Sequence, residues 1–228
     1  MRVTFARAGV SAACLVLAVS TISSAELSRY REFELGASVA AVTTLTQTTA
    51  RDLKTIHSRP AVLQELQWQP RYTRGAPVPD RDSIGELVFS FVDDRLFRMS
   101  ITYARERTNG LTNEDMIGSL TAVYGAPASA QPRPRSSTDA FNTPVVLAEW
   151  RESDAIMVLQ RTRYNETYVL VVTSLSLDAI ASKAQATAVV LDQREAPARE
   201  AALLQQRADD QRQAEELARS VNKKMFRP

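Results

Sequence analysis

Cysteine and histidine are nearly absent from this chain of 228 residues, in which Cys14 and His57 are the single residues of their types. Once Cys14 is removed with an export segment, as we expect below, the chain has no disulfide, no thiolate metal site and no cysteine nucleophile. A single histidine excludes most catalytic sets in which histidine is the base. A metal site at His57 would need carboxylates gathered from distant parts of the chain. The composition therefore predicts no cofactor, no metal site and no catalytic residue.

Glycine is scarce as well, and its spacing excludes phosphate-binding loops. Beyond residue 25 the glycines form no phosphate-cradling loop and no dinucleotide fingerprint, because they are scattered at positions 36, 75, 85, 110, 118 and 125.

Two acidic pairs, Asp80 with Asp82 and Glu114 with Asp115, could in principle bind a cation. Solvation of a loop and negative charge at a helix N-terminus explain these pairs more simply.

The first 25 residues have the three parts of a secretory signal peptide. Arg2 and Arg7 form a charged start, an apolar run of about a dozen residues follows, and the small-x-small stretch Ser-Ser-Ala ends at Ala25. An uncleaved anchor would need roughly twenty apolar residues. Cys14 lacks the aliphatic residue that a lipid-attachment site requires three positions before the cysteine. We predict export to the periplasm or extracellular space, cleavage after Ala25, and no stable membrane span after cleavage.

Removal of this segment balances the charge of the chain. The whole chain has 28 Lys+Arg and 26 Asp+Glu, so the loss of Arg2 and Arg7 leaves 26 of each and a net charge of zero. A balanced charge does not indicate binding to nucleic acid or to an anionic membrane surface. We expect an envelope protein or glycan as the partner, and no nucleic acid.

The stretch VFSFVDDRLFRMSITY, residues 88–103, alternates apolar and polar residues on both sides of an aspartate pair. Successive side chains of a strand point to opposite faces, so the pattern predicts a hairpin with one buried and one largely wet face. Asp93 and Asp94 are interpreted as turn residues rather than as a carboxylate site. The predicted buried face carries Phe89, Phe91, Phe97, Met99, Ile101 and Tyr103, and the wet face carries Ser90, Arg98, Ser100 and Thr102, with Val92 as an apolar exception.

Two other segments have the signals of short helices. Ser38 can cap a helix over 38–49. Thr112 and Asp115 resemble a capping box for a helix over 113–124, which Gly125 ends. The apolar positions at helical spacing are Val39, Val42 and Leu45 in the first helix, and Met116, Ile117, Leu120, Val123 and Tyr124 in the second.

The remaining patterns complete an α+β domain over residues 26–177. A short strand precedes Gly36, and a further strand lies within 61–70. Three apolar runs joined by short polar connections predict an antiparallel meander. We expect an antiparallel sheet of roughly five to seven strands with both helices packed on one face. The meander strands are predicted at 145–150, 155–163 and 167–175, and loops at 71–83 and 128–143.

Residues 178–228 form a charged tail with a different composition. The tail has no glycine and is rich in Ala, Gln, Arg and Glu, which predicts a long C-terminal helix, interrupted or kinked near Pro197. Its leucines and valines are too sparse for sustained heptads. The pattern therefore favours a solvated helix over a coiled coil, with docking on the domain at its start through Ile180 and Ala184.

The order of these motifs resembles small envelope modules such as the small lipoprotein subunit of the bacterial outer-membrane barrel assembly machinery. In that family a Gly-x-Ser/Thr turn leads into a helix, as Gly36-Ala37-Ser38 does here, and Gly-x-Pro closes a helix, as Gly125-Ala126-Pro127 does here. In this chain the closing motif follows the second helix rather than the first, and the lipid-attachment motif is missing. The resemblance implies an envelope setting and a binding role, and it transfers no functional residue.

The segment HSRPAVLQELQW, residues 57–68, is the main candidate for a binding site. His57, Arg59 and Trp68 surround a rigid proline there, and Arg and Trp are frequent anchors of interfaces. The alternative interpretation of Trp68 is packing in the core or at a strand edge. Arg98 and Ser100, on the predicted wet face of the hairpin, are the other candidate binding residues.

Two functions remain open at this point. The first is an exported, non-enzymatic interaction module of the cell envelope, which the missing catalytic sets and the wet sheet face favour. The alternative is a carboxylate-dependent hydrolase acting on envelope glycan, which needs two acids that converge in a cleft.

Overall fold

The structure, a computed structural model, describes residues 26–70, 83–134, 144–162, 166–225 and Arg227. Four sequence predictions concern residues outside these ranges. They are the signal peptide at 1–25, the loop at 71–83 except for Ser83, the segment 135–143 of the second loop, and the acidic pair Asp80 and Asp82. The described part has the predicted α+β fold.

A small two-stranded sheet begins the described chain. β1 (Arg29–Tyr30) and β2 (Phe33–Glu34) pair antiparallel in the region where one short strand was expected. The segment contributes large side chains to the core, because Leu27, Tyr30 and Phe33 are buried.

The first helix, α1 (Val39–Thr46), begins where the sequence predicts. The Ser38 hydroxyl accepts a hydrogen bond from the Ala41 N–H at 3.2 Å, which confirms the N-cap. The helix ends before the predicted residue 49, because Gln47 adopts a left-handed conformation with φ 54°. Leu45, expected on the apolar side, is 45% exposed, and Val42 makes the buried contact instead.

An antiparallel sheet of seven long strands and one two-residue strand forms the centre of the fold, and it confirms the predicted sheet type. The hairpin and the three-strand meander are also confirmed. One strand, 53–57, has no counterpart in the sequence predictions, because three of its five residues are exposed and show no alternation. The strands are β3 (Leu53–His57), β4 (Leu63–Trp68), β5 (Ile84–Val92), β6 (Arg95–Tyr103), β7 (Arg133–Pro134), β8 (Val145–Arg151), β9 (Ala155–Arg161) and β10 (Tyr168–Ser174), in the spatial order β3-β4-β5-β6-β10-β9-β8-β7.

The turn between β5 and β6 confirms the interpretation of the aspartate pair. Asp93 and Asp94 have φ values of 45° and 64°, as two-residue hairpin turns require. The Asp93 carboxylate accepts a hydrogen bond from the Val62 N–H at 2.8 Å, and the Asp94 carboxylate accepts one from the Val39 N–H at 3.0 Å. The pair therefore forms the turn and supports two neighbouring segments.

Two helices follow β6, namely α2 (Arg105–Thr108) and α3 (Asn113–Tyr124). The capping box is confirmed, since the Thr112 hydroxyl accepts from the Asp115 N–H at 3.1 Å and the Asp115 carboxylate accepts from the Thr112 N–H at 2.8 Å. The prediction that Val123 belongs to the apolar stripe is wrong, because this residue is 50% exposed.

One face of the main sheet, called the inner face here, is fully covered. Val42 of α1, Met116 and Leu120 of α3 and the N-terminal segment pack against it in one cluster, which confirms that both helices lie on the same face. Most of its sheet side chains have no exposed surface at all. Those with 0% exposure are Leu66, Ile84, Leu87, Phe89, Phe91, Leu96, Met99, Ile101, Met157, Leu159, Leu170 and Val172.

Phe97 lies on the opposite, outer face, so its predicted place beside Met99 is wrong. In the hairpin register Ser90 pairs with Arg98 and Phe91 pairs with Leu96, which leaves Phe97 as an extra residue in a β-bulge. A bulge interrupts the alternation of side chains, so a strict period of two misplaces the residue. Phe97 packs instead with Leu63, Val92, Leu177 and Ala181.

The last helix, α4 (Leu175–Met225), begins directly after β10 and packs across the outer face against β10, β6 and β5. The hairpin pattern predicted that the outer face is largely wet. The structure shows that α4 covers part of it. The residues of α4 that are buried against the domain recur at helical spacing. They are Leu177, Ala181, Ala184 and Ala188.

Two predictions about this helix need correction. Ile180 does not dock, since it is 50% exposed, whereas Ala184 does, at 6%. Of the predicted interruption or kink near Pro197, the interruption is wrong, because the helix is continuous through this residue. Arg199 forms ion pairs with Asp192 and Glu195 at 2.8 and 3.8 Å, and these contacts span the proline and hold the turns on both sides of it.

Candidate binding face beside the long helix

The part of the outer face that α4 leaves uncovered is the candidate site, and we call it the open face. Its centre is a row of four side chains on four adjacent strands. Val88 pairs with Ser100, Ser100 pairs with Val171, and Val171 pairs with Val158. Paired residues of an antiparallel sheet present their side chains on the same face, so these four form one continuous row.

The exposure of this row distinguishes it from the inner face of the same strands. Val88, Ser100, Val158 and Val171 are all partly exposed. Their sequence neighbours on the inner face, which are Phe89, Met99, Leu159 and Leu170, are all at 0%. The open face therefore presents apolar side chains to solvent at the middle of the sheet, where no described element covers them.

Polar groups flank this row on the side towards α4. A shallow depression of about 280 Å³ is lined by Glu65, Val88, Ser90, Arg98, Ser100 and Val171. A smaller depression of about 100 Å³ continues beside it towards α4, where Ala181 and Gln185 form part of the wall. A carboxylate, a guanidinium and two hydroxyls thus lie within or beside the row, so this surface offers hydrogen-bonding groups next to apolar side chains.

Arg98, a predicted site residue, is held in place by the first turn of α4. Its guanidinium forms an ion pair with Asp178 and lies 5.4 Å from the centre of the Phe97 ring. The side chain remains 41% exposed. Because the bulge fixes Phe97 and the helix fixes Asp178, Arg98 has a defined orientation at the edge of the open face.

His57 and Arg59, the other predicted basic residues, contact the middle of α4 and not the open face. His57 Nδ1 lies 3.9 Å from the carboxylate of Asp192, and Arg59 forms an ion pair with Glu195. The hydrogen bond from Arg199 lowers the pKa of Asp192 most, with smaller effects from the nearby basic groups. A polar cavity of about 310 Å³ lies among Ile56, His57, Ser58, Arg59, Ala188, Asp192 and Arg199. The contacts of His57 and Arg59 attach the middle of α4 to the sheet edge at β3.

Trp68 lies far from both residues, so the three are not brought together. His57 is paired with Leu63 at the start of β4, whereas Trp68 is the last residue of that strand and is paired with Leu87. The Trp68 ring packs edge-on against Phe33, with 5.9 Å between the ring centres. The structure supports the alternative interpretation of Trp68 as a packing residue.

Three acidic residues of the described part of the chain line another depression, beside the start of α4. A depression of about 190 Å³ there is lined by Glu26, Glu152 and Asp154, among others. Asp154 accepts hydrogen bonds from the Ser174 hydroxyl and from the N–H and hydroxyl of Ser176, at 2.8 to 2.9 Å, and these lower its pKa. A lowered pKa is the opposite of what a proton-donating acid needs. The carboxylate of Asp154 caps the helix.

The acidic and basic residues that attach α4 were missed in the sequence. Asp178 was not singled out, and neither were Asp192, Glu195 and Arg199. The positions of Asp192, Glu195 and Arg199 continue the buried side of the helix, since 188, 192, 195 and 199 follow the same spacing of three and four as 177, 181, 184 and 188. That spacing was the available signal, although the alanines in it are equally common in solvated helices.

Within the described residues, no group of three or more His, Cys, Asp or Glu side chains is arranged to hold a metal ion. No helix in the same ranges combines the length and apolar content needed to cross a membrane. No protein-family model, curated protein or solved structure matches this chain.

Proposed function

We propose that this chain is an exported, non-enzymatic interaction module of the cell envelope that binds a partner protein through the open face. The observation that carries the proposal is the partly exposed row of Val88, Ser100, Val158 and Val171 on strands whose other face is completely buried. Burial of such a row by a partner removes apolar surface from water and favours association.

The flanking polar groups support a protein as the partner. Arg98 is a residue type that often anchors interfaces, and its orientation is already fixed by Asp178. A side chain that is ordered before binding loses less conformational entropy when the partner arrives. Glu65 and Ser100 line the same depression as Arg98 and provide a carboxylate acceptor and a hydroxyl. The polar groups of a partner backbone can therefore form hydrogen bonds there.

The export part of the proposal rests on the signal-peptide pattern at 1–25. It is tested by the mass of the chain recovered from the envelope fraction of the source cells. A chain that begins at Glu26 supports export with cleavage after Ala25, and a chain that retains Met1 contradicts it.

The binding part is tested with two matched serine substitutions. Ser100→Glu places a charge in the middle of the open face, whereas Ser119→Glu places the same charge on an exposed position of α3. Affinity capture from the envelope fraction should recover a protein with the unchanged chain and with Ser119→Glu. Ser100→Glu should reduce its recovery at least about tenfold, because an unpaired charge is costly to bury.

Thermal melts of the same variants complete the test. Both should melt within a few degrees of the unchanged chain, because neither position is in the closed core. Equal recovery of the captured protein by Ser100→Glu and Ser119→Glu would show that binding does not involve the open face. A captured glycan in place of a protein would contradict the proposed class of partner.

A further inference from the structure

The second half of α4 extends away from the domain and has its own apolar side. From residue 200 to residue 225 every residue is exposed except Asp209, which is partly exposed. At 1.5 Å per residue this segment is about 39 Å long. Among the described residues, Glu195 is the last residue of α4 that forms an ion pair with the domain, through Arg59.

Five apolar side chains of this segment share one side of the helix. With about 100° between consecutive residues, they fall within an arc of about 80°. Four of the five are large and 47% to 74% exposed. We call this row the distal stripe, and it consists of Leu203, Ala214, Leu217, Val221 and Met225. The other apolar residues of the segment lie outside the arc, and they are Leu204, Ala201, Ala202, Ala208 and Ala218.

Three charged residues interrupt this side of the helix, namely Arg207, Asp210 and Lys224. The last two have opposite signs and are placed symmetrically about Leu217. Asp210 lies seven residues before Leu217, and Lys224 lies seven residues after it. Seven residues are nearly two full turns, so both charges are on the same side of the helix as Leu217. Neither residue forms an ion pair with another described residue.

This arrangement is complementary to itself when two helices run in opposite directions. With Leu217 of each copy at the two-fold axis, Asp210 of one copy faces Lys224 of the other at both ends of the contact. Between them, Ala214 lies beside Val221 of the second copy, with a difference of about 1.5 Å along the axis. In a parallel pair Asp210 would face Asp210 and Lys224 would face Lys224, which opposes association.

We propose that the distal stripe is a homodimerisation site in which residues 210–224 of two copies pair as antiparallel helices. The antiparallel direction also places the two domains at opposite ends of the paired segment, about 50 Å apart along the helix axis, so that they do not collide. The contact is shorter than a standard interface, so we expect the dimer to be reversible. The inference is independent of the open face, because the two surfaces share no residue.

Charge reversal in the full chain tests the proposal by sedimentation equilibrium. Lys224→Glu places Glu opposite Asp210 at both ends and should weaken dimerisation at least about tenfold, and Asp210→Lys should do the same. The matched controls are Lys223→Glu and Glu216→Lys, which make the same changes about 140–160° away from the centre of the stripe. Both controls should leave the dissociation constant within about twofold of the original value.

The double variant Asp210→Lys with Lys224→Glu decides the direction of pairing. It restores opposite charges in the antiparallel pair, so dimerisation should return to within about threefold of the unchanged chain. In a parallel pair the double variant would again place like charges together. A chain that stays monomeric at about 1 mM, equal effects of Lys223→Glu and Lys224→Glu, or failure of the double variant would each overturn the proposal.

Discussion

The two faces of the main sheet use the same strands and are closed in different ways. The inner face is covered by the N-terminal segment, α1 and α3, and its side chains are large and fully buried. The outer face is covered at one end by the first half of α4 and is open at its centre. A single set of strands therefore provides both a rigid core and an accessible surface.

The side chains at the two contacts explain this difference. On the inner face aromatic rings interlock, as Phe33 does with Phe89 at 4.7 Å between ring centres. On the outer face α4 contributes mainly alanines, with Leu177 as its one large buried residue, and ion pairs continue the contact beyond them. The comparison indicates that the inner face supplies most of the stability, whereas the outer contact positions a helix and borders a binding surface.

The largest expected effect is from Phe91→Ala on the inner face. Phe91 is completely buried, so its loss leaves a cavity and should lower the free energy of unfolding by about 3–5 kcal/mol. A loss of this size is large for a fold whose total stability is about 5–15 kcal/mol. The matched change on the same strand is Val88→Ala on the open face, which should cost about 1 kcal/mol or less. Equal losses in chemical denaturation would show that both faces are equally buried.

A smaller effect is expected from Leu177→Ala, where α4 meets the outer face. Leu177 is 4% exposed and packs with Val92 and Phe97, so its truncation should cost about 2–3 kcal/mol. Ile180→Ala is the control in the same helix and should cost less than about 0.5 kcal/mol, since Ile180 is half exposed. If Ile180→Ala destabilised the fold as much as Leu177→Ala, the helix would have to dock through a different side.

The sequence was sufficient to predict the elements whose local pattern and tertiary role agree. The period of two in 88–103 predicted the hairpin, and the aspartate pair predicted its turn. The capping residues Ser38 and Thr112 marked two helix starts correctly. The position of Phe97 could not be predicted, because a bulge depends on the pairing with β5 and leaves no signal in β6 itself.

The candidate site was less accessible to sequence analysis. Arg98 and Ser100 were placed correctly on the outer face, but the ion pair from Arg98 to Asp178 joins residues 80 positions apart. Trp68 was grouped with His57 through sequence proximity, although they belong to opposite ends of a strand pair. The docking of α4 was hard to recognise because alanine is both a good helix former and a good residue for close packing.

A third test concerns Asp154, which caps the start of α4 beside the outer face. Its pKa is lowered from the ordinary value of 3.8, chiefly by the hydrogen bond from Ser174 and also by those from Ser176. A lowered pKa in the folded state means that the stabilisation is present above pH 3.8 and is lost as the pH falls through the folded-state value. Asp154→Asn should therefore lower stability at pH 7, by roughly 1 kcal/mol as capping side chains do.

The pH dependence distinguishes this role from simple packing. The difference in melting temperature between Asp154→Asn and the unchanged chain should shrink as the pH is lowered below 3.8. Asp178→Asn is the comparison variant in the same melts. Asp178 is in the first turn of the same helix, but it pairs with Arg98 instead of accepting hydrogen bonds from Ser174 and Ser176. A difference for Asp154→Asn that stays constant from pH 7 to the acid transition would show that its charge does not stabilise the helix start.

The smallest expected effect, from Ser100→Ala, separates the open face from the part of the outer face that α4 covers. Ser100 lies in the uncovered row, so the change should alter the free energy of unfolding by less than about 0.5 kcal/mol. Arg98 lies two residues before Ser100 in the same strand. Arg98→Ala removes the ion pair with Asp178 and the contact with Phe97. Because the Arg98 side chain is 41% exposed, we expect a loss of only about 0.5–1 kcal/mol. Chemical denaturation of both variants measures the difference. A larger loss of stability from Ser100→Ala than from Arg98→Ala would mean that Ser100 lies in the covered region and Arg98 in the open one.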